Sequence, residues 1–471
     1  MKTRAEKDSL GIRQIPEEVY YGIQTDRAVE NFPVSGLRAH PRFIDSYLYV
    51  KKAAATANQR SGQLPKVHAD ALIKACDEIL AGALRDQFPV DVFQMGAGTA
   101  FNMNVNEVIS NRANEFLGGK KGDYKPLNPN DHANMGQSTN DTFPTAMRVA
   151  LLLVLRENLH GPLEALEKAF FVKAKEFDGV LKSARTHLQD AVPIRLGQEF
   201  AAYGEAIKKS RLFLLQAEKS LGELGIGGSA AGTGLNTAKG YREEIVKELS
   251  KITGLALSAS ADMREAMQSQ RPAAEVSSAL RNLSLEIIRI VNDLRLLSSG
   301  PTTGFAEINL PATAPGSSIM PGKVNPSILE MVNMVAFQVI GADAVVALAV
   351  QAGQLELNVM MPVMAFNLNF AATILGNALR ILNEKCVAGI TADVERCRHY
   401  AESSLGLATA LNAFIGYAQA AEVAKEAVQS RKSIIQVIRD KKILTEDQIR
   451  NIMDPAQMTE PGIPGKSNGT G

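Results

Sequence analysis

Residues 314–330 read APGSSIMPGKVNPSILE, and an apolar helical pattern follows at once. This run brings Ser317, Ser318, Lys323 and Asn325 within nine positions of one another. Three other clusters have a similar character: GAGTAFNMN from Gly96, NPNDHANMGQSTND from Asn128, and ARTHLQDAVP from Ala184. Each has a structural explanation when taken singly. Ser, Thr, Asn and Asp cap helices, Asn325 before Pro326 suits a cap and first turn, and His187 alone fits a satisfied core histidine. Taken together, hydroxyls, amides and one lysine are the donors that would surround a small dianion. That composition points to a site for a small carboxylate without fixing a reaction.

Phosphate loops are excluded by spacing. GSSIMPGKV has five residues between its first Gly and Gly-Lys and places Val after the lysine, whereas GIPGKS has only two between. GIGGSAAGTG, from Gly225, contains a loose Gly-x-Gly-x-x-Ala. The reading places it after a helix and not a strand, so it is expected to be a loop near a pocket and not a dinucleotide site. The sequence carries no metal cage and no cofactor motif, and none is assigned.

The elements that must position these residues are helices. Val276, Leu280, Leu283, Ile287, Ile290, Leu294 and Leu297 alternate four and three apart, drawing one apolar stripe down a long helix. Ser269 and Pro272 suit its start and Gly300 its stop. AMRVALLLVLRENL, LGQEFAAYGEAIKKSRLFLLQAEKSL and the stretch from Leu355 to Ala388, divided at Pro362, also read as helices. Few segments alternate as strands do. The expected fold is mainly α, built on long bundled helices. Three regions are expected: 1–138 with turns and short helices, 139–393 as the central helical bundle, and 394–471 as a small helical region with a flexible tail.

The chain has 471 residues and a formal net charge of +1, which gives no basis for a dedicated nucleic-acid or anionic-membrane surface. Its three cysteines, Cys76, Cys386 and Cys397, are widely spaced and read as buried thiols of a reducing compartment. The N-terminus lacks the apolar run of a secretory signal. MVNMVAFQVIGADAVVALAV is interrupted by Asn333, Gln338 and Asp343, and reads as a helix buried on all sides. A cytoplasmic protein is expected, whose apolar central helices find partners in other copies of the chain.

GSSIMPGKVNP resembles the signature loop of the fumarase/aspartase superfamily over its whole length. GAGT with NMNVNE, QSTND with PTA, and RTHLQDAVPIRLGQEF match the same superfamily in the same order, and the similarity runs from YYGIQTDRA to DPAQMTEPGIPGK. The resemblance implies a three-domain, mainly helical subunit, a homotetramer with a central bundle, and active sites shared among three chains. The opening loop then acts as a mobile lid carrying the catalytic base.

Ser138-Thr139-Asn140-Asp141, where fumarases usually carry Ser-Ser-Asn-Asp, favours the aspartase branch. So do Ser327-Ile328-Leu329-Glu330, QAGQLELNVM and EKCVAGITA. That branch implies reversible deamination of L-aspartate to fumarate and ammonia through an aci-carboxylate, without a cofactor; the alternatives are a fumarate hydratase or a lyase acting on a related amino acid.

By resemblance, Ser317 matches the base. Thr99, Ser138 and Thr139 match ligands of the reacting carboxylate, to which Ser318 adds a donor. Lys323 and Asn325 match groups that hold the other carboxylate, and Asn140, Thr186 and His187 match groups near the amine. His187 assists the leaving group, and His132 is a candidate only for a secondary anion site. Met95, Ala100, Phe101 and Met361 depart from the family pattern and bear on substrate range.

Overall fold

The computed structural model describes residues 2–466. The final five residues of the tail expected to be flexible therefore lie outside the described residues. Earlier in that tail, the Gly465 N–H donates to the Gln457 side chain at 3.3 Å.

The chain opens with an antiparallel hairpin, β1 (Thr3–Asp8) and β2 (Gly11–Pro16), followed by α1 (Ile23–Asn31), α2 (Pro41–Arg60) and α3 (Lys66–Leu80). Next come α4 (Thr99–Phe116), α5 (Thr139–Val154) and α6 (His160–Glu176). A second hairpin, β3 (Leu181–Thr186) and β4 (Gln189–Arg195), leads into α7 (Leu196–Ala217). After α8 (Tyr241–Thr253) and α9 (Met263–Gln268) run three long helices: α10 (Arg271–Leu297), α11 (Ser327–Gln351) and α12 (Met361–Lys385). Shorter helices finish the chain: α13 (Val394–Ser403), α14 (Asn412–Ser430), α15 (Ile434–Asp440) and α16 (Glu446–Ile452). The protein is mainly α, as expected, and every sheet among the described residues is only two-stranded.

Contacts group the residues into two compact units. The first comprises 1–161, 210–284 and 335–377, and the second 162–209, 285–334 and 378–471. In the first unit α2, α4 and α5 join through an aromatic core of Phe43, Tyr47, Phe101 and Phe143, with ring centroids 4.9–6.1 Å apart. In the second, Phe170, Phe177, Phe200 and Tyr203 form a similar cluster.

The apolar stripe of α10 is buried along its whole length, from Val276 to Leu297. The helix spans the stretch that the four-three spacing marks out. The helical reading from Leu355 corrects at its start, because α12 begins only at Met361. The reading of MVNMVAFQVIGADAVVALAV corrects as well. It is a helix, but Met334, Phe337, Val345 and Leu348 are exposed within the chain. By length and composition α11 and α12 could each cross a membrane. Two polar residues of α11 are nonetheless engaged by other parts of the protein: Arg281 pairs with Asp343 at 2.7 Å, and Asn333 donates to Asn292 at 2.9 Å. All three cysteines are free and buried, and burial pushes each thiol up to about 12.

Candidate active site

In the first unit, Thr99 and the Ser138–Asn140 run occupy the first turns of two adjoining helices. Thr99 opens α4, directly after Ala97 and Gly98 at φ 60° and 84°. A Cβ on Gly98 would lie 2.1 Å from the Phe143 ring, so only glycine lets the start of α4 close onto α5. Ser138 caps α5. Its Oγ accepts the Asn140 N–H at 3.2 Å, and its own N–H donates to Asp141 at 3.0 Å, which completes a capping box. Two helix N-termini that carry hydroxyls suit a carboxylate.

Beneath these turns lies Lys51, buried on α2. Its ammonium donates to Asn102 at 2.8 Å, Gln137 at 2.9 Å and Asn134 at 3.2 Å, which ties α4 to the segment entering α5. Burial pulls Lys51 down to about 7, and the nearby Asp141 carboxylate opposes that pull. Asp141 is pushed up to about 7 by burial, against the backbone N–H donors of Ser138, Ser229 and Gly227. Lys51 is not among the residues singled out from the sequence, and Asp141 enters there only as part of a motif, without a role of its own. The Ser-x-x-Asp spacing of a capping box marks Asp141. Lys51, in the alanine-rich YVKKAAATAN, carries no comparable signal because its burial is set by tertiary packing.

The positions that depart from the family pattern divide in two. Met95, Ala100 and Thr99 line a cavity of about 470 Å³ beside Arg27, Asn128 and Asn130. Phe101 and Met361 are fully buried, and Phe101 belongs to the aromatic core, so both reach the site through packing. His132 packs edge-on against His68 at 5.3 Å, and its Nδ1 accepts the Asn128 N–H at 2.9 Å, which gives it a structural role in its turn.

The Gly225–Gly234 loop is preceded by a two-residue strand, Glu223–Leu224, which corrects the reading that a helix leads directly into it. No helix opens at its glycines, because α8 begins only at Tyr241. The dinucleotide reading therefore gains no support.

In the second unit, Thr186 and His187 stand exposed at the tip of the β3–β4 hairpin. The two turn residues, His187 and Leu188, sit at φ 55° and 59°, the left-handed region that two-residue hairpin turns require. Strain of this kind in non-glycine residues is typical of functional sites. The hairpin base is anchored by charge. Arg185 donates to the buried Glu307 carboxylate at 2.9 Å, and the Lys182 ammonium lies 3.3 Å from it. The sequence expectation of a loop beside a helix missed this hairpin, since its turn contains neither Gly nor Asn.

Ser317, Ser318, Lys323 and Asn325 share one compact loop. The Gly316 N–H donates to the Lys323 carbonyl at 2.8 Å, and the Asn325 side-chain N–H₂ donates back to the Gly316 carbonyl. One of the two Asn325 side-chain N–H donors is thus spent on closing the loop. The Ser317 Oγ accepts the Met320 N–H at 2.9 Å and the Ile319 N–H at 3.2 Å. Ser318 and Lys323 are exposed, and Lys323 and Asn325 border a cavity of about 850 Å³ with Arg295 and Asn309. Among the described residues, no hydrogen bond joins this loop to the hairpin tip, and no group of three or more His, Cys, Asp or Glu is placed to hold a metal ion.

Residues 11–341 match the lyase family, and residues 407–460 match the fumarase C C-terminus. The chain belongs to the fumarase/aspartase superfamily. It is 49% identical over 463 residues to an aspartate ammonia-lyase of Bacillus subtilis, covering 98% of this chain and 97% of that one. An aspartate ammonia-lyase of Helicobacter pylori is 48% identical over 460 residues, covering 97% and 98%. Among solved structures, a Brucella melitensis fumarate lyase:delta crystallin bound to cobalt superposes at TM-score 0.93 and 48% identity, covering 98% of this chain and all of that one. A class II fumarase of Schistosoma mansoni superposes at 0.95 with 35% identity, covering 98% and 99%. The superfamily fold read from four motifs is therefore the fold of this chain.

Proposed function

We propose that this protein is an aspartate ammonia-lyase, which interconverts L-aspartate with fumarate and ammonia by anti elimination through an aci-carboxylate. The cradle around Ser317 carries the proposal. The proton to be removed lies next to the side-chain carboxylate and is very weakly acidic, so the base must be strong. A serine becomes such a base only where its alkoxide is stabilised, and the amides of Ile319 and Met320 already point at Oγ.

Removing the proton places a second negative charge on the reacting carboxylate. Thr99, Ser138 and Thr139, at the positive ends of α4 and α5, meet that charge where it develops. Ser318 adds a donor to that reacting carboxylate, and Lys323, with Asn325 holding the loop shut behind it, binds the other one. Thr186, His187 and Asn140 receive the amine, and His187 assists its departure. No cofactor is assigned to these steps.

Residues with these roles occur in each of the two units. The reading completes each site with groups from neighbouring copies in a homotetramer. The exposed apolar face of α11, with Phe337, Val345 and Leu348, supports that assembly, since apolar surface of this extent is normally covered. The division at 138 and 393 into three regions belongs to the same reading. So does a cytoplasmic location, supported by the free buried thiols.

The test is loss of fumarate absorbance with and without ammonium, with products identified. Ammonium-dependent loss yielding L-aspartate is expected. Ammonium-independent loss yielding malate would make the protein a fumarate hydratase.

A further inference from the structure

The reaction leaves the Gly225–Gly234 loop without a task, yet the loop is fastened to the amine end of the site. The fully buried Asp141 carboxylate accepts the Gly227 and Ser229 N–H groups, each at 3.0 Å. The loop's own backbone fixes its path, with Gly227, Ser229, Gly232 and Gly234 at φ 88°, 56°, 82° and 71°. A Cβ on Gly232 would lie 2.6 Å from the Arg264 Cα, so the loop is also closely packed. From this rigid loop the Ala230 carbonyl accepts the Asn140 side-chain N–H₂ at 2.8 Å.

A carbonyl can only accept, so the nitrogen of the Asn140 carboxamide must face Ala230 and its oxygen must face away. An ammonium group has three donors and no acceptor, and a carboxamide oxygen is a suitable partner for it. We propose that the Gly225–Gly234 loop is a positioning element for the substrate's amine, in which the Ala230 carbonyl locks the Asn140 amide so that Oδ1 accepts from the ammonium, with Asp141 pinning the loop in place. The inference rests on the deamination proposed above and assigns the loop a part in choosing ammonia. In this arrangement one of the two Asn140 N–H donors is engaged by the Ala230 carbonyl.

The reverse reaction separates the two substrates. Gly227→Ala places a methyl group 3.2 Å from the Arg242 Cα at a φ that disfavours it, and so displaces the loop without touching a substrate ligand. Gly234→Ala meets the same left-handed φ but is less crowded, because its methyl touches only the Gly227 carbonyl at 3.2 Å and the Thr237 hydroxyl at 3.4 Å. In each variant that stays folded by circular dichroism, the KM for ammonium is expected to rise about tenfold, the loss of roughly one hydrogen bond to a charged group. The KM for fumarate, which carries no amine, is expected to stay within about twofold. Parallel rises in both constants, or no change in either, would overturn the loop's role. A wild-type enzyme that consumes no fumarate with ammonium would overturn the activity beneath it, a separate and distinguishable failure.

Discussion

At Ser317, replacing the hydroxyl removes the acceptor that the Ile319 and Met320 amides share, while the Gly316–Lys323 closure stays. Ser317→Ala is expected to lower kcat by ~10³-fold or more with the fold retained, as loss of a positioned base does. Near-normal turnover would refute the assignment. Lys51 supplies a pH test at the same scale. Its value in the fold, about 7, lies below the ordinary 10.5, so the fold prefers the neutral amine. The stability it contributes is fully present above pH 10.5 and is lost as the pH falls through 7. The melting temperature of wild type relative to Lys51→Met is therefore expected to rise between pH 7 and pH 10.5, and a flat difference would mean that the ammonium form is retained.

Among the elements, the junction of α4 and α5 is the most exacting. Gly98→Ala would drive a methyl group into the Phe143 ring at a left-handed φ. A loss of about 3 kcal/mol or more is expected from overpacking and strain together, measurable by calorimetric melting. Weaker binding of fumarate should accompany it, because the first turns of both helices shift. Sequence reading served the elements unevenly. The stripe of α10 was legible because a long helix buried along one side writes its period into the chain. The hairpin at Thr186–Gln189 was not, because positive φ at His187 and Leu188 is imposed by context and carries no Gly or Asn to announce it. Ser317, Lys323 and Asn325 were legible as a loop, but which donor of Asn325 is spent on closing it depends on the fold. Lys51 and Asp141 acquire their character from burial, which local sequence does not record.

For the whole molecule, the face of α11 bearing Phe337, Gly341, Ala344, Val345 and Leu348 is exposed in a single chain. Leu348→Glu is expected to disrupt assembly, so that light scattering reports a mass below that of a tetramer, with activity lost in parallel. A full-size assembly retaining activity would remove this face from the interface. The buried thiols carry a further consequence. Alkylating reagents attack the thiolate, and none of the three cysteines offers an accessible one. Under native conditions, modification must wait for the chain to open. Cys76 belongs to the first unit, and Cys386 and Cys397 to the second. Peptide-resolved alkylation over time would therefore act as a pair of built-in clocks, timing the opening of each unit separately without any introduced label.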